Sequence, residues 1–351
     1  MKIVKSLFGP KTRGRTFSFA LVIVAYVIIS VLQSGHSIPR MITALLVPVC
    51  SYIVAAIGLN MNVGISGELN LGQAGFMSVG GFSAAVVNVV LSGVIGNDIL
   101  RLAVCIVVGA IIAGFVGWLI SIPVLKLEGD YLAIVTLAFG QIIMSLINNT
   151  YIGVDANGIH FAFINNTIQL AEGGKMVLSG PMGVTGNTVI STFTVGFVLI
   201  LVALLIVYNI IYSREGRAIQ ACRDNKIAAE TVGIRVSSTK TLAFVLSSAL
   251  GGAAGALYMM NYASVAATKF DFNTSILILV YVVLGGLGNM TGTVIATSVL
   301  VLLPEMLRFL SSYRMLVYAI VLIVMMIVTN NEKIKTFFAS FKKQKGAEAH
   351  E

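Results

Sequence analysis

Charged residues are scarce in this chain. Asp, Glu, Lys and Arg make up 11% of its 351 residues, 57% are hydrophobic, and the mean hydropathy is +0.95. Soluble proteins carry roughly 25% charged residues, and a soluble core of this size would leave too much apolar surface in water. A water-soluble fold is therefore excluded, and we predict an integral membrane protein with about ten spans of roughly 20 residues each.

Cysteine is also rare, and no phosphate-binding loop is present. Cys50, Cys105 and Cys222 stand alone, without the spacing of a disulfide framework or a metal site. The sequence G-x-x-x-x-G-K-S/T does not occur, so any ATP must be bound by another polypeptide. We therefore expect no catalytic residue, no cofactor and no metal in this chain.

Histidines and buried charges are too few for a proton relay. His36, His160 and His350 all lie in predicted loops or tails. The apolar runs hold no cluster of Asp, His, Lys or Arg of the kind that proton-coupled carriers need. The net charge of +9 does not indicate a nucleic-acid partner either, because the basic residues lie at the ends of apolar segments and not in one patch.

Apolar runs separated by polar breaks divide the chain into about ten segments. They fall near 17–33, 41–59, 73–92, 101–125, 130–147, 189–212, 241–260, 274–286, 293–304 and 314–329. With the basic N-terminal tail in the cytoplasm and sides alternating, most Lys and Arg residues fall inside, which predicts an all-α polytopic membrane protein with both termini cytoplasmic. The eighth and ninth runs are short, so eight or nine spans with a re-entrant pair remain an alternative.

This topology divides the chain into a cytoplasmic basic tail at 1–16, a membrane domain at 17–329 and a cytoplasmic tail at 330–351. The longest external segment, 148–188, is polar and rich in glycine. It is either a docking surface or lid at the outer face, or an ordinary surface loop, and the sequence leaves both open. A highly charged segment at 213–240 falls on the cytoplasmic side.

A glycine-rich stretch, GISGELNLGQAGFMSVGG at 64–81, interrupts the apolar pattern. It carries the polar residues Ser66, Glu68, Asn70 and Gln73. Broken backbone at membrane depth survives only against protein or a water-filled cavity. We predict that these side chains line a translocation path. The alternative is that Glu68 lies in water at the cytoplasmic mouth.

A second glycine-rich interruption, LGGLGNMTG at 284–292, separates the eighth and ninth runs. Its glycines, including Gly285 and Gly286, suit a tight re-entrant turn. We predict that this turn packs near the translocation path. A short connection between two helices is the alternative.

Polar residues also occur within the fifth apolar run. Tyr131, Thr136 and Gln141 are spaced roughly as a helical stripe. They either line the pathway or satisfy one another across helices, and the net worth of such bonds, about 0.6 kcal/mol each, does not decide between the two.

Small residues recur at intervals of four in two further runs. The patterns are Gly109-x-x-x-Ala113-x-x-x-Gly117 and Gly251-x-x-x-Gly255. Small residues on one helix face permit close approach between the backbones of membrane helices. We predict helix packing at both and assign no function to them.

The charged segment at 213–240 contains a predicted amphipathic helix over 215–233. Ile219, Cys222, Ile227 and Val232 recur at roughly helical spacing, and Gly233 is placed to end the helix. A helix of this kind either rests on lipid headgroups or inserts into a groove on a partner protein. Its charges are of both signs, which favours the protein groove.

Several blocks of the sequence together resemble one known family. REGRAIQACRDNKIAAETVGI, followed by KTLAFVLSSALGGAAGALY, is similar to the coupling-helix region of permeases from ABC importers for branched-chain amino acids. SGELNLGQAGFMSVGGFSAA, GDYLAIVTLAFGQII and SGPMGVTG resemble their early, middle-span and outer-loop segments, and VLGGLGNMTGTVIA and YRMLVYAIVLIVMMI their C-terminal pair. The blocks keep the family's order over roughly 45–330. Of the two paralogous permeases in such importers, the chain resembles the one with the longer outer loop.

The resemblance implies a permease subunit of a heteromeric importer in the cell membrane. Its partners would be two cytoplasmic ABC ATPases, a paralogous permease, an extracytoplasmic solute-binding protein and the surrounding membrane lipid. Ala228, Ala229 and Gly233 fall where the family's short coupling motif lies. The full predicted ATPase-coupling set is Glu215, Arg217, Ile219, Arg223, Asp224, Ala228, Ala229 and Gly233.

The substrate implied by the resemblance is a branched-chain or similar neutral amino acid, moved inward by alternating access that the ATPases drive. Relatives with this architecture also carry urea, short amides and other small solutes, so these remain alternatives. An ion-coupled secondary carrier is a further alternative of a different class.

Overall fold

A computed structural model of the chain describes residues 13–34, 40–93, 95–127, 129–155, 158–164, 168, 174–307, 313 and 316–323. The described residues form two compact units, one ending at Ser298 and the other beginning at Val299. The basic tail up to residue 12 and the predicted C-terminal tail at 330–351 lie outside the described residues.

Long apolar helices make up most of the first unit. They are α1 (Arg13–Ser34), α2 (Arg40–Asn60), α3 (Gln73–Leu91), α4 (Asp98–Val124), α5 (Asp130–Asn148), α6 (Phe193–Ile211) and α9 (Val236–Met259). Within the described part of the chain, 7 helical segments are long and apolar enough to cross a membrane. This confirms the prediction of a polytopic helical membrane protein.

Short helices complete the chain. Two of them, α7 (Arg214–Asp224) and α8 (Lys226–Thr231), lie in the charged segment between α6 and α9. Two apolar ones, α10 (Phe272–Gly285) and α11 (Met290–Met306), have 14 and 17 residues. These lengths correspond to about 21 and 26 Å, less than the ~30 Å of a bilayer's hydrocarbon core. In the second unit, 316–323 is also helical.

The connections of the first unit gather at two ends, as alternating spans require. One end carries the β-sheet described below, and we call it the sheet end. There Asn88, near the end of α3, donates to Asn187 Oδ1 over 2.8 Å, and Val184 N donates to Val265 O over 3.0 Å. At the other, which we call the α7 end, Arg223 donates to Gly64 O over 2.9 Å. This sorting agrees with the predicted alternation, while the assignment of the α7 end to the cytoplasm stays a prediction.

The segment at 148–188 carries a small antiparallel sheet that the all-α prediction did not include. Its strands β1 (Thr150–Asp155), β2 (Gly158–Phe163) and β3 (Lys175–Ser179) lie in the order β2–β1–β3. Pairing is regular between β1 and β2, and it shifts register between Ile152 and Gly153 opposite β3. The sequences TYIGVD and GIHFAF are rich in β-branched and aromatic residues, which was the available signal for strands.

Helix α9 packs closely against α3 and α4 through glycine. A Cβ added at Gly80 would overlap the Gly252 backbone, and one at Gly255 would overlap Met77 O. Between α9 and α4, a Cβ at Gly252 would come within 2.6 Å of Gly109 O. The predicted close packing at the small-residue patterns is therefore confirmed.

Candidate functional site

The polar interior of the α7 end begins where α2 changes its winding. Instead of ending at Asn60, the helix continues as a π-helix over Met61–Ser66, which is closed by Gly67 with φ +77°. Irregular backbone then leads to α3. π-Helical turns are rare and occur frequently at functional sites, because the wider turn rearranges side chains and backbone groups. We call 60–73 the broken segment.

The second glycine-rich interruption forms a tight turn directly against the broken segment. Gly286 and Gly288 have φ of +93° and +79°, which favours glycine at both positions. The Asn60 side chain joins the two elements: its Oδ1 accepts from Gly288 N over 2.8 Å and its Nδ2 donates to Thr293 Oγ1 over 2.7 Å. The two interruptions therefore contact each other, and Gly285 lies half-buried at the end of α10. That this turn packs near a translocation path stays a prediction.

Most of the predicted path residues are buried around this segment. Ser66, Asn70 and Gln73 are at most 1% exposed, and Thr136 is 2% exposed. The Thr136 hydroxyl accepts from Leu71 N over 3.0 Å, which ties the middle of α5 to the broken segment. The structure thus brings together residues that are far apart in the chain.

Gln73 fixes the beginning of α3 among its neighbours. Its Nε2 lies 3.3 Å from both Ala55 O on α2 and Ser247 O on α9. The next residue, Ala74, donates its N–H to Ser275 Oγ on α10 over 3.0 Å. Three helices therefore converge on the start of α3.

Three buried side chains of the broken segment have polar atoms without hydrogen-bond partners in the part of the chain that the structure describes. They are both amide atoms of Asn62, Ser66 Oγ and Asn70 Nδ2. Such atoms are uncommon in folded proteins, since each costs about 1–3 kcal/mol when left unpaired. They mark the part of the broken segment best suited to receive a polar solute.

The predicted stripe on α5 is not brought together. Tyr131 lies in the first turn of α5 and is 73% exposed. Gln141 is half-buried, and Thr136 alone of the three contacts the broken segment through a hydrogen bond. A spacing of five residues rotates successive side chains by about 140° around a helix, which explains why these residues face different directions.

Glu68 forms an ion pair with Lys240 in the first turns of α9. The two side chains are 10% and 16% exposed, so each charge is largely removed from water and is compensated by the other. The alternative that Glu68 lies in open water is therefore wrong. Sequence reasoning missed Lys240 as the partner, although a carboxylate near membrane depth requires a counter-charge.

Helix α7 rests on the broken segment through Arg223. Besides its bond to Gly64 O, the Arg223 guanidinium forms an ion pair with Asp224 at 3.1 Å. Ile219 and Cys222 are buried beneath α7, at 1% and 3% exposure. Burial raises the pKa of the Cys222 thiol, an effect that the Lys240 charge opposes. The buried apolar side chains and the Arg223 side chain therefore hold α7 in place.

The prediction of a single helix over 215–233 is wrong, because the helix breaks at Asn225. This residue adopts extended backbone, and its side chain accepts from Ala228 N over 3.0 Å, capping α8. Ala229 is buried against Cys222 and Val236. The Asp-Asn pair in the middle of the segment was the available signal, since asparagine favours helix N-caps.

The break also divides the predicted apolar face. Ile219 and Cys222 point inward, whereas Ile227 and Val232 are 74% and 75% exposed. Gly233, with φ +84°, ends α8 as predicted and donates to Glu230 O over 3.0 Å. The outer surface of the pair α7–α8 therefore presents two apolar side chains among charges.

The predicted coupling residues divide into two groups on this helix pair. Ile219 and Ala229 are buried anchors. The exposed ones are Glu215, Arg217, Arg223, Asp224, Ala228 and Gly233. Ile227 and Val232 were not predicted to be coupling residues. In the structure they are the most exposed large apolar side chains between residues 214 and 233.

Membrane-crossing helices around a buried polar segment, with a charged helix pair attached at one end, define a multi-pass membrane permease. Comparison with known proteins specifies it further. A family model described as the permease component of branched-chain amino acid transport systems matches residues 41–329. This chain belongs to that family, and it is a multi-pass protein of the plasma membrane.

Two relatives of known name illustrate the similarity. The chain is 32% identical over 348 residues to the high-affinity branched-chain amino acid transport system permease protein LivM of Salmonella typhimurium, covering 93% of this chain and 78% of the relative. It is 28% identical over 194 residues to the nucleoside ABC transporter permease protein NupC of Lactococcus lactis, covering 55% and 58%. No solved structure matches the chain.

Proposed function

We propose that this chain is the permease subunit of an ABC importer that carries branched-chain amino acids or similar neutral amino acids into the cytoplasm. The observation that carries the proposal is the similarity to LivM along 93% of the chain. The chain supplies no phosphate-binding loop of its own. Its part in transport is therefore to form the path and to respond to ATP used by other subunits.

The α7–α8 pair is the surface that receives the partner ATPase. It is exposed, carries charges of both signs and presents Ile227 and Val232 outward. Exposed apolar side chains surrounded by charges favour a groove on a second protein, in which the apolar pair would provide most of the affinity. The buried residues Ile219 and Ala229 transmit force because they fix both helices to the membrane domain.

The broken segment is the element that this force moves. Arg223 of α7 donates a hydrogen bond to Gly64 O of the π-helix, and Lys240 near the start of α9 forms an ion pair with Glu68. A displacement of α7–α8 therefore reaches the segment from two directions. The unpartnered polar atoms of Asn62, Ser66 and Asn70 give this segment the hydrogen-bonding capacity that a polar solute requires.

The assembly that follows from this proposal has two ATPases at the α7 end, a paralogous permease beside this one and a solute-binding protein at the sheet end. The sheet with its flanking residues is the surface for the binding protein. Affinity for the solute resides mainly in that protein, because a permease that bound tightly would release slowly.

Uptake by the reconstituted complex tests the proposal. The chain, its paralogue, the cognate ATPases and the binding protein are placed in proteoliposomes with labelled leucine outside and ATP accessible to the ATPases. We expect leucine uptake that unlabelled isoleucine and valine reduce, while urea, short amides and nucleosides do not. No leucine uptake by a complex that takes up one of the latter solutes in labelled form would replace the amino-acid assignment with that solute class.

A further inference from the structure

A second feature of the α7 end is a surface cavity between the end of α4 and the start of α9. Its volume is 680 Å³. One part of its lining is apolar, with Trp118 and Ile122 on α4. The other part is polar, with Lys126, Arg235 and Ser237. A ligand that fits this lining has an apolar portion directly joined to a polar one.

The cavity lies at the level where two candidate membrane spans leave the hydrocarbon. Lys126 follows the end of α4 at Val124, and Arg235 immediately precedes α9. Trp118 lies six residues before Val124, about 9 Å deeper along the helix. It is 47% exposed on a helix long and apolar enough to cross a membrane, and tryptophan is the side chain typical of membrane interfaces. The polar part is thus at headgroup depth and the apolar part at acyl-chain depth.

The charges in the cavity favour an anion. Within the described residues, neither Lys126 nor Arg235 takes part in an ion pair. Glu230 of α8 also lines the cavity, which leaves a net charge of one positive unit. The first turn of α9 adds N–H groups, since its N-cap residue Arg235 provides no side-chain cap. A phosphodiester matches these donors.

We propose that the cavity formed by Trp118, Ile122, Lys126 and Arg235 binds an anionic phospholipid of the leaflet at the α7 end. A free phosphate would use the two cations but would leave Trp118 and Ile122 in water. A zwitterionic lipid carries no net charge, so it would leave the net positive unit of the lining unbalanced. The anionic lipid alone satisfies both parts of the lining.

Occupation of the cavity affects the proposed coupling surface, a consequence that depends on the proposed function. Glu230 belongs to α8 and lies within the cavity lining, so a bound headgroup contacts the helix pair. The lipid would hold the base of α9 and α8 together at the membrane surface. The binding site itself does not depend on which solute is transported.

Quenching of Trp118 fluorescence by brominated lipid tests the site directly, because Trp118 is the only tryptophan of the chain. The full chain is reconstituted in phosphatidylcholine vesicles, and brominated phosphatidylglycerol or brominated phosphatidylcholine of identical acyl chains is titrated in. One net positive charge predicts about a fivefold preference for phosphatidylglycerol in the quenching curves. The Lys126→Gln/Arg235→Gln double variant leaves Glu230 as the only charge of the lining and should reverse the preference to about fivefold in favour of phosphatidylcholine, whereas Glu230→Gln should raise the preference for phosphatidylglycerol about another fivefold.

The matched control is Lys175→Gln/Arg214→Gln, which removes two exposed cations outside the cavity and should keep the wild-type preference. Equal quenching by the two lipids in the wild type would overturn the proposal, as would a control that loses the preference together with the double variant. Relief of quenching by millimolar inorganic phosphate would assign the site to a free anion instead. Exclusion of the brominated lipid by added ATPase subunits would assign it to the protein interface.

Discussion

At the residue scale, the pair Glu68–Lys240 is the interaction with the largest expected consequence for stability. Both charges are mostly removed from water, and they join the broken segment to α9. An ion pair in such a place contributes little over a pair of apolar residues, but removal of one partner leaves a buried charge uncompensated. Single and double substitutions should therefore behave very differently.

We expect Lys240→Met to lower the free energy of unfolding by about 3 kcal/mol, because Glu68 then remains charged without a partner. The double variant Glu68→Gln/Lys240→Met should recover most of this loss. Apparent unfolding temperatures of the purified variants in one detergent measure the difference. Equal destabilisation by the single and double variants would show that the pair is not the cause.

Individual residues also show which features of the site could be predicted from the sequence. Glu68, Asn70 and Gln73 were predicted to line a translocation path because glycine and polar residues break an apolar run; the structure places all three in the buried interior, and their part in the path stays a prediction. Their partners, Lys240 and Thr136, lie on other helices. Nothing in the local pattern specifies which distant helix supplies the partner, so the pairing required the fold.

At the element scale, close contact between α3 and α9 depends on two glycines that meet. An alanine at Gly80 would place its methyl group in the Gly252 backbone, and the helices would have to separate. We expect Gly80→Ala to cost about 1–3 kcal/mol, as overpacking does elsewhere. Gly93→Ala is the matched control, since nothing lies within 4 Å of the added Cβ.

Thermal unfolding of both glycine variants checks this prediction. Gly80→Ala should unfold at a lower temperature than the wild type, and Gly93→Ala should not. A Gly80→Ala protein as stable as the wild type would mean that α3 and α9 do not approach as closely as their glycines allow.

The α7–α8 pair gives a second prediction at the element scale. Ile227→Asp/Val232→Asp should reduce stimulation of the partner ATPase at least about tenfold, because exposed apolar anchors are worth over 1 kcal/mol each in an interface. Protein stability should be unchanged, since both side chains are already exposed. Phe161→Asp/Ile164→Asp, at two exposed apolar positions of the sheet end, is the control and should leave stimulation intact.

The same element shows where periodicity misleads. The spacing of Ile219, Cys222, Ile227 and Val232 was interpreted as one apolar face, but the two steps of five residues from Cys222 to Val232 turn the side chains by about 140° each even on an unbroken helix. The cap at Asn225 restarts the helix in a new direction, so the second pair turns outward. A short capping motif therefore outweighs a periodic pattern when the segment is brief and solvent-exposed.

At the scale of the whole molecule, the apolar runs predicted the spans well, since hydropathy alone determines which segments enter a membrane. The short α10 and α11 correspond to the runs that were already too brief for full spans. The sheet of the segment at 148–188 was missed because its strands are only 5 or 6 residues long and were treated together with their polar surroundings. Which end faces the cytoplasm follows from charge distribution and remains a prediction.

The central claim is that energy for transport enters this chain from partner ATPases through α7–α8. The most direct measurement compares leucine uptake by the reconstituted complex with ATP and with imposed proton or sodium gradients. The account predicts uptake with ATP alone, lost in Ile227→Asp/Val232→Asp while the protein stays folded. Uptake driven by an ion gradient without ATP, or full ATP-driven uptake by that variant, would contradict it.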